Sequence, residues 1–357
     1  MIGKRIFPKD LEAFCIDAVR RAGFSDEDAR ITAEVLVTID TWGTYTHGTR
    51  QLRYLLEGVQ ASRLDPRADP EVVSEGPAWA TVDGHAAMPM VTSCLAMNTA
   101  IRKAKNAGFA YVGVTGSSHF TAAGYYATMA LKEDMIGLSM TNADPVMTAP
   151  GAKGRIIGTN PIAYAVPAGT ERPIFLDIAM STVAATKVLA AKDSGKKIPD
   201  TWLVDNEGLP TTDPSIFPAM GAVLPMSGHK GYGLALFVEV LTAVLTGAGM
   251  TQQVPSWRGD VPGPTNCGHA FIAINVGAIM PIQDFKARMD RMIREIKASP
   301  KVKGTERIYL PGEMEWERRD EALEKGMQLP EHVVASLMGL AEDMGLEKEL
   351  HGLFKGV

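Results

Sequence analysis

Short apolar runs and helix-like stretches alternate through the middle of the chain, and this alternation constrains the fold more than any other feature. Runs rich in branched and aromatic side chains predict buried strands, and the longer amphipathic stretches between them predict helices. The predicted strands are residues 79–83, 110–114, 136–141, 162–166, 174–178 and 271–276, and the predicted helices between them are 93–107, 123–132 and 182–191. Such an order is typical of an α/β fold with a substantial sheet.

Both ends of the chain have helical patterns. Pro8 stands near the start of a first helix, and Ser25 with Asp28 three residues later forms a capping-box pattern at the start of a second. From residue 281 onward the chain is again largely helical and polar. We therefore expect helical N- and C-terminal regions around the sheet.

A small polar turn, Gly116 to Ala122, follows the predicted strand 110–114 and contains His119. Ligands bind at the carboxyl ends of strands in open α/β sheets. Histidine is also the side chain best suited to moving a proton near neutral pH. His119 is therefore a candidate acid/base group, although a helix-capping histidine would give the same local pattern.

Bulk properties exclude several classes of function. The net charge of −5 provides no basic footprint for nucleic acid. The three cysteines, Cys15, Cys94 and Cys267, have neither metal-site nor disulfide-framework spacing, which favours a reducing cytoplasm. The N-terminus lacks the apolar core of a signal peptide, and the apolar stretch 232–249 contains Glu239, so we expect no membrane contact and a buried helix there.

Neither common nucleotide fingerprint is present. The chain lacks both GxGxxG after a strand and the phosphate-loop pattern GxxxxGK[ST]. Residues 228–231, Gly-His-Lys-Gly, nevertheless open the apolar helix, so its outward amides and Lys230 form a candidate phosphate site. Simple helix capping would explain the same residues.

Histidines also allow a second hypothesis. His47, His119, His229 and His269 lie far apart in sequence without HxH or HExxH spacing, so a metal site would have to be assembled in three dimensions. A metal-dependent lyase or hydrolase is the alternative from another class of enzyme. A serine hydrolase is disfavoured because no GxSxG elbow occurs.

Taken together, several polar turns make the chain resemble the type-2 malate/L-lactate dehydrogenase family, also called sulfolactate dehydrogenase-like, over about residues 11–329. The stretches that carry the resemblance are 46–48, 116–119, 158–161, 177–179, 198–202, 210–214, 228–233 and 310–313. The resemblance implies a large mixed sheet with a non-Rossmann NAD(P)-binding domain, a homodimer, and NAD or NADP as cofactor. It implies a nucleotide-binding domain at 131–230 and a substrate and dimerisation domain from 1–130 with 231–357.

The resemblance also implies roles for individual residues. His119 would be the acid/base in a dehydrogenase interconverting a 2-hydroxy acid and a 2-oxo acid, and Asp144 would orient it. Thr46, His47 and Asn160 match substrate-side positions. The matched cofactor positions are Ala143, Asp177, Ile178, Ala179, Lys230 and Gly231.

One position departs from the family pattern SHGxxR. Gln51 stands where the family often has an arginine that can grip a carboxylate in two places. We expect Arg50 or Arg53 to replace it, or the substrate to differ from a simple 2-oxo acid. Reduction of a cyclic imine acid on the same fold is the alternative within the family.

Overall fold

A seven-stranded mixed sheet forms the centre of the computed structural model, which describes residues 5–259 and 262–353. The strands in chain order are β1 (Arg5–Ile6), β2 (Glu71–Gly76), β3 (Trp79–Asp83), β4 (Phe109–Ser117), β5 (Met135–Thr141), β6 (Ile162–Val166), β7 (Ile174–Ile178), β8 (Leu203–Val204), β9 (Pro210–Thr211), β10 (Ala222–Val223), β11 (Cys267–Asn275) and β12 (Met327–Gln328). The large sheet has the order β2-β3-β4-β11-β5-β6-β7. Only β3 and β4 pair in parallel in it; the other neighbours are antiparallel.

Helices cover the sheet and form both ends of the described chain. They are α1 (Pro8–Arg21), α2 (Asp26–Thr41), α3 (Leu52–Gln60), α4 (Pro89–Ala107), α5 (Ala123–Met129), α6 (Ala185–Asp193), α7 (His229–Glu239), α8 (Ile282–Lys297), α9 (Glu313–Lys325), α10 (Glu331–Met344) and α11 (Glu347–Leu353). The predicted α/β class, mixed sheet and helical end regions are confirmed. Among the described residues, no helix has the length and apolar character needed to cross a bilayer.

Local sequence signals explain where several helices begin and end. Ser25 accepts the Asp28 amide hydrogen and its hydroxyl donates to the Asp28 carboxylate at 2.7 Å, so the capping pattern at α2 is real. Pro8 occupies the first turn of α1. Gly108 ends α4 with φ of 80°, in the left-handed region that glycine adopts without strain.

Buried apolar side chains form four clusters among the described residues, two of them large. The larger core joins α1, α2, α4 and α10 to the sheet. A second core, within residues 147–235, surrounds a small antiparallel sheet of β8, β9 and β10. Apart from Ala235, the buried residues of this second core fall inside the predicted nucleotide-binding segment 131–230. Strands β5, β6 and β7 of the same segment, however, belong to the large sheet. The division into two domains stays a prediction.

The apolar stretch 232–249 is not a buried helix, and this expectation was wrong. Helix α7 continues into a π-helical segment, Val240–Val244, and only one side of the two packs on the protein. The other side exposes large apolar residues: Leu234, Leu236, Phe237, Val240, Val244 and Leu245. Apolar periodicity identifies a helix, but it does not tell whether the same chain covers every side of it.

Candidate active site

The turn after β4 places His119 at the end of a central strand. The hydroxyl of Tyr126 donates to the Phe120 carbonyl at 2.7 Å, which fastens the turn to α5. The Thr121 amide donates to Nδ1 of His119 at 3.3 Å. In the neutral tautomer that accepts this hydrogen bond, the proton lies on Nε2, which can then donate to a substrate oxygen; in the other tautomer, Nε2 carries the lone pair and can accept a proton.

Three aromatic rings stack around this position. The ring of His47 lies 5.8 Å from that of His119, centroid to centroid, and the indole of Trp257 lies 4.2 Å away on a nearly parallel plane. His119 is thereby brought together with His47, as the sequence predicts. Trp257 comes from a distant loop and was missed.

Burial and neighbouring positive groups keep both histidines neutral. Desolvation lowers the pKa of His47 to about 4, helped by Arg258 and then Arg50. Desolvation also moves the pKa of His119 well below its usual value, with further lowering by His47, Arg258 and His269. A neutral His119 can accept a proton at once, whereas donation requires prior protonation or a bound anion that raises its pKa.

The loop carrying Thr46 and His47 is held against α2 by a buried carboxylate. Asp40 accepts hydrogen bonds from the Thr49 amide at 3.1 Å and the Thr49 hydroxyl at 2.5 Å. A Cβ atom on Gly48 would lie 1.9 Å from Oδ1 of Asp40, so only glycine allows this close approach. The Thr46 hydroxyl lies 2.9 Å from Nδ1 of His47 and fixes that ring.

The side chain at the unusual position Gln51 is buried and contacts Arg258. The amide nitrogen of Gln51 donates to the Thr46 carbonyl, and Nη2 of Arg258 donates to Oε1 of Gln51 at 2.5 Å. The sequence marks Trp257 and Arg258 only as residues of a loop rich in Pro, Ser and Gly, where binding residues concentrate, and does not indicate their partner.

The two arginines predicted to replace the family arginine have different surroundings. Arg53 pairs with Asp343 at 2.9 Å and with Glu57 at 3.3 Å, so the structure does not bring it to the histidines. Arg50 is half-buried, and its charge lowers the pKa of His47. Of the pair, only Arg50 lies within electrostatic reach of the site.

Asp144 lies on the side of Arg258 rather than against His119. Desolvation raises the pKa of Asp144, and a hydrogen bond from Ser256 together with the charges of Arg155 and Arg258 opposes that rise. No hydrogen bond joins Asp144 to His119 within the described parts of the chain. A direct orienting contact is thus absent there.

Asn160 is fully buried and is directed toward α7. Its Oδ1 accepts the Ala143 amide hydrogen at 3.2 Å, and its Nδ2 donates to Ala235 O at 3.1 Å and to Glu239 at 2.6 Å. Both amide hydrogens are used within the protein. This geometry gives Asn160 a bracing contact to Ala143, a predicted cofactor residue, and the substrate contact of Asn160 stays a prediction.

Asp177 and Ala179 line a cavity of about 480 Å³ that reaches Thr46 and His47. The Gly124 amide, at the start of α5, donates to Asp177 at 2.7 Å. Although the open cavity leaves Asp177 accessible to solvent, the surrounding protein desolvates it and raises its pKa to about 6. Glu315, on the opposite wall, adds to the rise.

Backbone hydrogen bonds of Met180 and Met226 connect the two predicted cofactor segments, 177–179 and 228–231. The Met226 amide donates to the Met180 carbonyl, and the Gly231 amide donates to the Met226 carbonyl at 2.9 Å. A Cβ atom on Gly231 would lie 2.3 Å from that carbonyl oxygen, so the turn requires glycine. Lys230 is exposed beside this turn, in the first turn of α7, while Ile178 packs against the second core.

The four histidines of the metal hypothesis do not converge. His229 is exposed at the start of α7, and His269 is buried in β11 with Nδ1 2.7 Å from the Thr141 hydroxyl. Within residues 5–259 and 262–353, no three side chains of the ligating types are grouped so that they could hold a metal ion.

The mixed sheet carries a neutral, half-buried histidine, His119, and a cavity of about 480 Å³ reaches the neighbouring His47. The profile of the malate/L-lactate dehydrogenase family matches residues 6–338. The chain belongs to that family, and the predicted class, an NAD(P)-dependent 2-hydroxy-acid dehydrogenase, is confirmed at the level of the family.

Known relatives cover nearly the whole chain. L-sulfolactate dehydrogenase of Methanocaldococcus jannaschii is 37% identical over 344 residues, 96% of this chain and 98% of the relative. Its solved structure superposes with a TM-score of 0.89 at 36% identity, covering 98% of this chain and 99% of that one. Ureidoglycolate dehydrogenase (NAD(+)) of Escherichia coli K12 is 32% identical over 89% of this chain and 90% of the relative. (2R)-3-sulfolactate dehydrogenase (NADP(+)) of Chromohalobacter salexigens is 30% identical over 95% and 99%.

Proposed function

We propose that this enzyme interconverts a small 2-hydroxy acid and the corresponding 2-oxo acid, with His119 as the acid/base. The observation that carries the proposal is the position of His119: it follows a central strand, has Nε2 free, and is enclosed by His47 and Trp257 beside Arg258. In oxidation, Nε2 would accept the hydroxyl proton while the ring keeps its other proton on Nδ1, the tautomer in which the Thr121 amide no longer donates to Nδ1; in reduction, the protonated ring would donate from Nε2 to the 2-oxo oxygen.

The cofactor, NAD or NADP, supplies the hydride acceptor or donor when bound. The 480 Å³ cavity lined by His47 and Asp177 is the place proposed for it. Lys230, exposed in the first turn of α7, would hold a cofactor phosphate through its side-chain charge and the helix dipole, whereas the amides of Gly231 and Tyr232 already donate to carbonyls of this chain. Ala143, Asp177, Ile178 and Ala179 would form the adjoining wall.

Turnover by His119→Ala tests the proposal. General acid–base catalysis contributes roughly 10²–10⁴-fold, so turnover should fall by that factor while cofactor affinity stays nearly unchanged. His85→Ala, at an exposed histidine beside Asp83, is the matched control and should keep full turnover. Retention of more than about a tenth of the activity in His119→Ala would refute the assignment.

Substrate screening separates the proposal from its alternatives. Panels of 2-oxo acids and cyclic imine acids are followed at the absorbance of reduced nicotinamide, with and without a strong chelator. Oxidation of reduced cofactor by a 2-oxo acid with chelator present supports the proposal. Reaction with imine acids alone assigns the family alternative, and loss of activity on chelation assigns the metal enzyme.

We propose further that the enzyme is a homodimer and that α7 contributes to the interface. The exposed side of α7 and its π-helical extension presents six large apolar residues, which is more contiguous apolar surface than a monomer ordinarily leaves open. Lys230 begins the same helix, so a partner seated there would lie near the cofactor turn. We also propose a cytoplasmic location, because Cys15, Cys94 and Cys267 are all buried and unpaired.

A further inference from the structure

We propose that Arg258 binds the carboxylate of the substrate and that Gln51 is the positioning residue that holds Arg258 in place. This inference rests on the proposed function, since it concerns the substrate of the same site. It places the carboxylate anchor in the loop before β11, whereas the family pattern SHGxxR has its arginine at position 51.

Gln51 is buried, with 2% of its surface exposed, and both ends of its amide are in use. Its nitrogen donates to the Thr46 carbonyl and its oxygen accepts from Nη2 of Arg258. A neutral acceptor at this position fixes a guanidinium without neutralising its charge. An acidic residue would hold Arg258 more strongly, but would also occupy it as an anion.

Two aromatic rings hold Arg258 as well. The guanidinium carbon lies 4.3 Å from the ring centroid of Tyr54 and 4.5 Å from that of Trp257. Cation–π contacts of this kind orient a guanidinium while leaving its in-plane donors free. The indole of Trp257 thus stacks on His119 and also contacts the arginine.

The guanidinium has donors to spare. Its Nε is buried without a hydrogen-bond partner, and Arg258 forms no ion pair with a carboxylate in the described residues. Nη1, which also has no hydrogen-bond partner in the described residues, is not enclosed like Nε, so a bound anion can complete the hydrogen bonding of the guanidinium there. A carboxylate is the planar two-oxygen anion that matches guanidinium geometry.

Arg258 is also close enough to act on the reacting centre. Its charge lowers the pKa of both His47 and His119. A carboxylate bound to Arg258 would therefore place the adjacent carbon beside His119 and would offset the positive field that disfavours the protonated ring. Arg53 cannot fill this role from its ion pair with Asp343.

The inference is tested with oxamate, a stable mimic of a 2-oxo acid, titrated calorimetrically into enzyme saturated with the reduced nicotinamide cofactor that supports turnover. Arg258→Met should weaken oxamate binding by at least about 30-fold, the scale for truncating one partner of a buried charge pair, with cofactor affinity unchanged. Arg258→Lys keeps a positive charge but loses the planar fork, and should lose about tenfold. Arg53→Met, the matched surface control, should bind like the wild type.

Gln51→Met tests the positioning role. It keeps side-chain length but removes both the acceptor for Arg258 and the donor to the Thr46 carbonyl, so some stability should be lost, and the KM for the 2-oxo acid should rise about tenfold or more while kcat changes little. The inference is overturned if Arg258→Met and Arg258→Lys both bind oxamate as tightly as the wild type. If Arg258→Met does not fold, wild-type affinity in Arg258→Lys alone overturns it. Wild-type enzyme that reduces no 2-oxo acid overturns the proposed function itself, which is a different result.

Discussion

The imidazole of His119 and the indole of Trp257 lie face to face, with ring centroids 4.2 Å apart and planes inclined by 16°. This contact joins the turn after β4 to a loop that follows about 140 residues later in the sequence. Trp257 covers one side of the acid/base candidate, which keeps water away from the ring. The contact therefore helps to set the protonation state of His119.

Removing the indole should move the pH dependence of oxidation to higher pH. In the proposed reaction, oxidation of the 2-hydroxy acid needs neutral His119, so kcat/KM is expected to fall as pH drops below the pKa of His119. Burial is the main cause that lowers this pKa, and Trp257→Ala re-admits water, so the pKa and the acid limb of the profile should both rise. Trp79→Ala, at an exposed indole on β3, is the control. An unchanged acid limb in Trp257→Ala would contradict the role given to the stack.

Lys230 should affect the affinity for the cofactor and leave the substrate site intact. Lys230→Ala would remove the proposed charge-assisted contact to phosphate, which should raise the cofactor dissociation constant about tenfold or more. Lys9→Ala is the matched control, because Lys9 is exposed and is the second residue of α1, as Lys230 is of α7. Fluorescence titration of both alanine variants decides the point: the assignment fails if Lys230→Ala and Lys9→Ala bind equally well.

Asn160 should behave as a structural brace. Asn160→Ala leaves the Ala143 amide without its acceptor and the buried Glu239 without one donor, and unsatisfied buried groups each cost about 1–3 kcal/mol. Thermal unfolding should show a clear loss of stability, while KM for the 2-oxo acid stays close to wild type. Asn106→Ala, at an exposed position, should change neither. A raised KM with normal stability would restore the substrate role predicted from the family.

The fold was largely readable from the sequence, and the arrangement of the site was readable only in part. Strand positions follow from local apolar runs: β3, β6 and β7 have the predicted bounds, because each run is closed by polar or turn residues. The contact between Gln51 and Arg258 joins residues 207 positions apart, and no local pattern contains that information. Likewise, an asparagine before proline has the same sequence signature whether its amide faces a ligand or a buried glutamate.

The exposed side of α7 gives the last prediction, on assembly. Phe237 is 55% exposed in the middle of that side, next to Val240 and Val244, whereas Ile279 is 73% exposed at a separate turn after β11. A charge placed in an apolar interface must be desolvated without a partner, so Phe237→Asp should shift a dimer toward monomer. Ile279→Asp adds the same charge to an ordinary surface and should leave the assembly unchanged. Light scattering at micromolar concentration measures both masses.

If the wild type is monomeric and fully active, the dimer is ruled out; if Phe237→Asp stays dimeric, the interface lies elsewhere. Because Lys230 begins the same helix, dissociation by Phe237→Asp should also weaken cofactor binding if the partner borders the cofactor turn.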